Sequence, residues 1–323
     1  MNNEKDSQIV TVAVITYNSA DTILETLESI LVQSYGPENI ELIISDDASN
    51  DYTAKVIDKW LKINETYFST VNFIANPVNK GIPGNCNTAW KASTSNWIKT
   101  IAGDDLLEEC CILENIIYVK EQPECRVLFS KMEWFGDIQK ITPEPYDLRF
   151  FKLSAKDQYS YMKYFSFNFA PTSFIMRDVL NAIGFANEKY NTIEDLTLWL
   201  KLTSQGYKLD FLNSLTVRYR VSESVSKSNT QYVNVSFLYD VIQINKDNKS
   251  PFLNNPISYI YRIEQLTMLY AKLLISKLCN NKKSNLSRLL DRLSFFLRPF
   301  HFYWAIKRRC FNFILKAKLT SWM

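Results

Sequence analysis

The 323-residue chain contains one histidine, His301, and that scarcity removes two large classes of chemistry. Histidine-based zinc sites and Ser-His-Asp triads each need an imidazole at a defined place, and a lone residue near the C-terminus supplies neither. Glycine is also sparse, with seven residues and no G-x-G-x-x-G or P-loop run. The backbone cradle that dehydrogenases and P-loop enzymes wrap around phosphates is therefore missing, so bound phosphates would depend more on a metal. The six cysteines (Cys86, Cys110, Cys111, Cys125, Cys279 and Cys310) form no C-x-x-C pair, which reads as reduced thiols in a cytoplasmic protein. Residues 1–7 are polar and lack the apolar core of a secretory leader, and no uncharged apolar run reaches the ~20 residues a bilayer span needs.

The remaining composition, 46% hydrophobic and 22% charged, is that of a folded protein. The net charge of +3 hides an asymmetry. Residues 292–323 carry Arg292, Arg298, Lys307, Arg308, Arg309, Lys316 and Lys318 with no acid, which leaves residues 1–291 at −4.

Apolar patterning alternates strand and helix through the first half. Strands are predicted at 9–16, 40–45, 71–74, 96–101 and 126–130. Helical spacing connects them, through Ile23, Leu24, Leu27, Ile30 and Leu31, through Val56, Ile57, Trp60 and Leu61, and over 84–93 and 106–120. This order implies an α/β fold with a mainly parallel sheet and helices on both faces. Residues 131–191 are less regular, a helix returns at 194–204, and a strand is expected at 215–219. The Asn, Lys and Pro of 245–256 read as a linker, which divides a catalytic domain, 1–245, from a C-terminal helical extension, 246–323, with helices near 257–279 and 284–297.

Asp104 and Asp105 follow directly on the apolar strand Trp97–Ile101. Two carboxylates at the carboxyl end of a buried strand suit Mn²⁺ or Mg²⁺ carrying a diphosphate, although an Asp pair also opens helices by capping. Two further polar clusters end strands on the same edge: Thr16-Tyr17-Asn18-Ser19, and Ser45 through Asp51. Tyr17 can stack on a base and Asp46 can accept from a base or ribose; the competing readings are a helix cap and an Asx-rich turn. A later segment, Thr192-Ile193-Glu194-Asp195, offers a carboxylate to deprotonate a hydroxyl, or else a capping box with Thr192 at its head.

Together with Asn79-Lys80-Gly81-Ile82 and Asn87, these motifs resemble family 2 inverting glycosyltransferases of the GT-A fold, over roughly residues 8–225. The resemblance implies that Thr16, Tyr17, Asn18 and Asp46 bind the nucleoside and that Gly81 lies at the donor site. It implies further that Asp104 contacts the ribose or a metal-bound water, and that Asp105 ligates the cation. Glu194-Asp195-Leu196-Thr197-Leu198-Trp199 is similar to the segment whose Asp is the catalytic base, which makes Asp195 the base and Glu194 an acceptor-binding or loop-orienting residue. The chain departs from the family in two places: Gly103 stands at the first position of the D-x-D motif, and Tyr219-Arg220-Val221-Ser222 lacks the usual histidine. Arg220 or Lys227 could replace it, the blander assignment for each being a solvated surface cation.

The reaction implied is transfer of a sugar, with inversion, from a nucleotide-diphosphate donor such as a UDP-sugar to a hydroxyl of a glycan or lipid-linked acceptor in bacterial polysaccharide synthesis. Two alternatives stay open, a metal-dependent nucleotidyltransferase and an inactive membrane-tethered scaffold. The basic stretch after Pro299 is rich in Phe, Tyr and Trp, which suits an interfacial helix on anionic lipid more than a core helix or a nucleic-acid contact. The expected location is the cytoplasm, peripheral on the inner face of the cell membrane.

Overall fold

The computed structural model describes residues 8–136, 138–145, 147–163, 169–221, 230–247 and 256–294. They form two compact units, Met1–Ser222 and Glu223–Met323, dividing upstream of the boundary expected after residue 245. Lys227 and the basic aromatic stretch from Phe295 onward lie outside the described residues.

The first unit is built on one sheet that contains strands β1 (Val10–Thr16), β2 (Ile40–Asp46), β3 (Thr70–Ala75), β4 (Trp97–Ala102), β5 (Leu106–Leu107), β6 (Val127–Gly136), β8 (Phe174–Met176) and β9 (Leu209–Val221), in the order β3-β2-β1-β4-β8-β6-β9-β5. Its first four strands, β1 to β4, are parallel neighbours. The β-branched runs of β1 and β2 suit strands covered on both sides, whereas β3, at the sheet edge, alternates in exposure. Val12, Val14, Leu42 and Ile44 pack with Ile23, Leu27 and Ile30 of α1 (Ile23–Leu31), Ile57 and Trp60 of α2 (Thr53–Asn64), and Ile112 and Ile116 of α4 (Cys111–Glu121). Ala13 and Ile43 point the other way, onto Ala89 and Trp90 of α3 (Gly81–Ala92), in a core shared with Leu198, Trp199 and Leu202 of α7 (Asp195–Ser204). Helices thus cover both faces, as the α/β pattern requires.

Several expectations change. The helix predicted from 106 begins at Cys111, because Leu106–Leu107 form a short strand, β5, paired with Arg218 and Val217 of β9 (Leu209–Val221). The irregular 131–191 region contains β7 (Lys140–Thr142), α5 (Ala155–Met162), β8 (Phe174–Met176) and α6 (Arg177–Ile183). β8 runs antiparallel to both β4 and β6 (Val127–Gly136), and β6 lies parallel to β9. The expected 245–256 linker is partly helical, since α8 (Val235–Asp247) runs through its first three residues.

The second unit carries α8, α9 (Pro256–Leu278) and α10 (Asn285–Ser294), with a small core of Leu238, Ile242, Leu269 and Leu273. Among the described residues no helix is long and apolar enough to cross a membrane.

Candidate active site

The carboxyl ends of β1 and β2 are knitted together by side chains. Asn18 adopts a left-handed conformation, φ 50°, which Asn tolerates better than most residues. Its backbone N–H donates to Ser49 Oγ (2.8 Å), and its Oδ1 accepts from the Asn50 N–H (2.9 Å). Neither Asn18 nor Ser19 caps α1, whose N-cap is Thr22. The turn reading holds for Asp51, which accepts from the Thr53 N–H at the start of α2 and from the Ala20 N–H. It holds for Asp46 too: this buried carboxylate accepts from the Ser49 N–H (2.9 Å) and hydroxyl, which fixes it at the strand end. Tyr17 is exposed, whereas Thr16, expected at the nucleoside, is buried and has no open face to offer one.

A buried amide pair that pattern reading passed over supports this edge. Asn85 of α3 donates to the Thr16 (3.2 Å) and Ser45 (3.0 Å) carbonyls and accepts from Asn76 Nδ2 (3.1 Å). Uncharged and outside any spaced motif, the two residues give no signal until the strands are aligned. Asn87 has a different role, anchoring the Ala186 backbone. Asp47 accepts from the Lys80 N–H (2.8 Å); burial raises its pKa, against hydrogen bonds from Lys80 and Gly81 that lower it. Gly81 itself, at φ +73°, is a point of close approach, since a Cβ there would lie 2.5 Å from the Asn191 carbonyl oxygen. The Ile82 N–H donates to that same carbonyl (2.9 Å). Gly81 therefore joins the donor-side loops to the segment leading into Glu194 and Asp195.

Asp104 and Asp105 occupy the turn between β4 and β5, and β9 brings Arg220 to them. The Arg220 N–H donates to Asp105 Oδ1 (2.8 Å), its Nε to the Asp104 carbonyl (2.8 Å), and its Nη2 to Glu25 Oε2 (2.7 Å). The guanidinium also lies 4.6 Å from the centre of the Phe135 ring. This is no solvated surface cation: Arg220 holds the carboxylate turn in place. Gly103 has a packing reason, because a Cβ would lie 2.8 Å from Thr16 Oγ1 and 3.1 Å from Ile23 Cδ1. A carboxylate at the first D-x-D position does not fit here without movement.

Asp105 is almost wholly buried, and its Oδ2 has no hydrogen-bond partner. Desolvation, with Asp104 next to it, pushes its carboxyl well above the usual carboxylate range. Burial raises Asp104 as well, opposed by the charge of Arg220.

On the other side, α7 begins at Asp195 with Glu194, and not Thr192, in the N-cap position. Asp195 Oδ1 accepts from the Leu196 N–H (2.6 Å). Desolvation raises both carboxyls, and the neighbouring Asp195 charge raises Glu194 further. Two carboxyls this close titrate as a pair.

A cavity of about 120 Å³ lies between the two carboxylate groups, with Asp105 and Glu194 both on its wall beside Trp90, Thr100, Pro171 and Trp199. Trp199 Nε1 is buried on this cavity without a hydrogen-bond partner. One wall is held by Lys99, fully buried in β4, whose ammonium donates to the Pro171 carbonyl (2.6 Å) and is pushed down to about 8 by desolvation. Lys99 reads in the sequence as one more member of an apolar run, and Trp199, the last residue of the Glu194–Trp199 segment, carries no sign there that its indole lines a cavity.

No group of three or more His, Cys, Asp or Glu side chains converges among the described residues. Asp105 Oδ2 is nevertheless a hard oxygen lacking a partner, the donor type that would suit a divalent cation.

An open sheet that collects carboxylates beyond its parallel strand ends, around one small cavity, places the chain in the GT-A class of fold. Residues 11–184 match the family described as glycosyl transferase family 2, and the chain belongs to that family. It is 30% identical over 220 residues to the UDP-Glc:alpha-D-GlcNAc-diphosphoundecaprenol beta-1,3-glucosyltransferase WfaP of Escherichia coli, covering 66% of this chain and 78% of WfaP. WfgD of Escherichia coli, a protein of the same described activity, is 26% identical over 266 residues, covering 79% of this chain and 91% of WfgD. Among solved structures, S. aureus TarS 1–349 in complex with UDP-GlcNAc superposes with a TM-score of 0.58 at 18% identity, over 82% of this chain and 72% of that one.

Proposed function

We propose that this glycosyltransferase moves a sugar, with inversion, from a UDP-sugar to a hydroxyl of a lipid-diphosphate-linked or polymeric glycan acceptor in bacterial surface-polysaccharide synthesis. The names of WfaP and WfgD pair UDP-glucose with a diphosphoundecaprenol-linked acceptor, which makes UDP-glucose the first donor to test. A lipid-linked acceptor also favours a peripheral position at the cytoplasmic face of the membrane.

The observation that carries this reading is the shared cavity, with Asp105 from the β4–β5 turn on one wall and Glu194 from the head of α7 on another. Tyr17 offers its exposed ring to the base, while Asn18 and Asp46 hold the nucleoside beside it. Asp104 and Asp105, steadied by Arg220, take the diphosphate end of the donor. A divalent cation, Mn²⁺ or Mg²⁺, held by Asp105 would neutralise charge on the departing diphosphate. Asp195 accepts the proton of the acceptor hydroxyl as that oxygen bonds to the anomeric carbon. The bond from that carbon to the phosphate oxygen breaks on the opposite face, so the configuration inverts. A carboxyl raised by burial is a stronger base than an exposed one, which supports the assignment.

One observation favours a second reading: Glu194, and not Asp195, lines the cavity, so Glu194 is the competing base. Paired variants decide between them. Asp195→Asn should cut transfer by about 10²–10⁴-fold while UDP binding survives, and Glu194→Gln should keep most of the transfer activity; the reverse result makes Glu194 the base. Absence of UDP release from every UDP-sugar in the presence of Mn²⁺ would leave the chain a scaffold.

A further inference from the structure

In the second unit, α10 turns three of its four leucines outward, the fourth, Leu290, being half-buried. The residues it buries are Ser287 (0% exposed) and Ser294 (6%), whereas Leu286, Leu289 and Leu293 are 56%, 52% and 51% exposed. The three leucines are spaced i, i+3 and i+7 and form one stripe. Its inner face is satisfied by polar contacts. Ser287 and Ser284 exchange hydrogen bonds at the helix start, the Ser294 hydroxyl donates to the Asp291 carbonyl, and Tyr232 donates to Asp291 Oδ1 (2.8 Å). The unit's apolar core lies elsewhere, between α8 and α9. A second apolar stripe faces out on α9, where Tyr259, Ile263, Tyr270, Leu274 and Leu278 are all exposed.

On α9 and α10 themselves the exposed charge has one sign. Residues 256–294 contain two acids, of which Glu264 is buried and Asp291 is engaged by Tyr232. The exposed cations are Lys277, Lys282, Lys283, Arg288 and Arg292. In sequence, the 3- and 4-residue spacing of the leucines continues with Phe296 and Phe300, and no acid follows Asp291.

From this we infer that the leucine stripe of α10, with its flanking arginines, is a docking face for an anionic lipid surface. An amphipathic helix with leucine on one side and only positive charge beside it gains from apolar burial at the acyl boundary and from attraction to acidic headgroups. A second copy of this chain is a poorer occupant. A two-fold interface on the same face would set Arg288 and Arg292 against the cations of the partner copy. The inference does not depend on the transfer reaction, so its failure would leave the proposed activity untouched.

The test is co-sedimentation of the full chain with vesicles of phosphatidylcholine alone or mixed with phosphatidylglycerol. Wild type should pellet with the phosphatidylglycerol vesicles and be released by salt, with little binding to phosphatidylcholine alone. Leu289→Ser/Leu293→Ser should weaken partitioning by at least about tenfold. Arg288→Gln/Arg292→Gln should weaken it about tenfold on anionic vesicles. An unchanged urea midpoint shows that each variant is folded, and the two double variants act through different chemistry, so failure of one to fold leaves the other decisive. The inference is overturned if the leucine variant pellets like wild type, or if wild type binds no vesicle. It is equally overturned if wild type is dimeric at sedimentation equilibrium and the leucine substitutions make it monomeric without changing vesicle binding.

Discussion

The two units treat leucine and charge in opposite ways. In the sheet unit, Leu27, Leu42 and Leu128 are sealed in the interior, and carboxylates gather beside a cavity where burial raises their pKa. In the helical unit, α10 hides serines and displays three of its four leucines, and its exposed charges, Arg288 and Arg292, are positive. The same residue type thus reports different physics. A buried leucine is held by packing and costs stability when cut. An exposed one in a stripe contributes little to the fold, so what it can contribute is adhesion. Buried carboxylates in the first unit likewise cost folding energy, which is expected where a ligand is to supply the missing partner.

The comparison can be broken at several points, beginning with the largest effect. Asp195→Asn should lower the rate of sugar transfer by about 10²–10⁴-fold, measured as UDP release with acceptor present, while UDP still raises the melting temperature. Leu27→Ala, in the closed core of the sheet unit, should cost about 2–5 kcal/mol in urea unfolding. Gly103→Asp, which would restore a D-x-D motif, should cost about 1–3 kcal/mol, because its Cβ would crowd Thr16 and Ile23. If that variant is as stable as wild type and binds Mn²⁺ more tightly, the packing explanation of Gly103 is wrong.

The pH dependence gives a smaller effect. The folded pKa of Glu194 is raised by desolvation and by Asp195, so its stabilising contribution is full below the ordinary carboxylate pKa. That contribution is lost as pH rises through the raised value. Glu194→Gln should remove this downward slope from a series of urea melts and be the more stable protein on the alkaline side. Smallest of all, Leu289→Ser should change unfolding free energy by less than about 0.5 kcal/mol. A larger loss would mean that the α10 leucines are core residues after all.

Much of the sheet was legible in sequence, because β1, β2 and β4 are runs whose burial on both faces leaves an apolar signature within a few residues. What escaped was set by distant partners. β5 is two residues long and is a strand because Arg218 and Val217 lie opposite. Arg220 read as a surface cation because its three partners, Glu25, Asp104 and Asp105, are remote in the chain. The carboxylates of the candidate site stood out by type and spacing. Asn76, Asn85 and Lys99 did not, since buried amides and a buried lysine carry no motif, and the motif that ends in Trp199 does not show that its indole lines the cavity. Helix α10 is the sharpest case: periodicity locates its leucine stripe, but says nothing about which side of the helix the protein covers.

Local energetics, then, are written in the chain itself: the alternation of strand and helix, the loops rich in Asp and Asn at strand ends, and the loss of acids toward the C-terminus. Each depends on neighbours within a turn or a strand. Tertiary structure alone decided that Asp105 and Glu194 share one cavity, that Gly103 has no room for a side chain, and that α10 turns its serines inward. Those outcomes depend on strand order and on long-range packing, and they are settled when segments far apart in sequence compete for the same space.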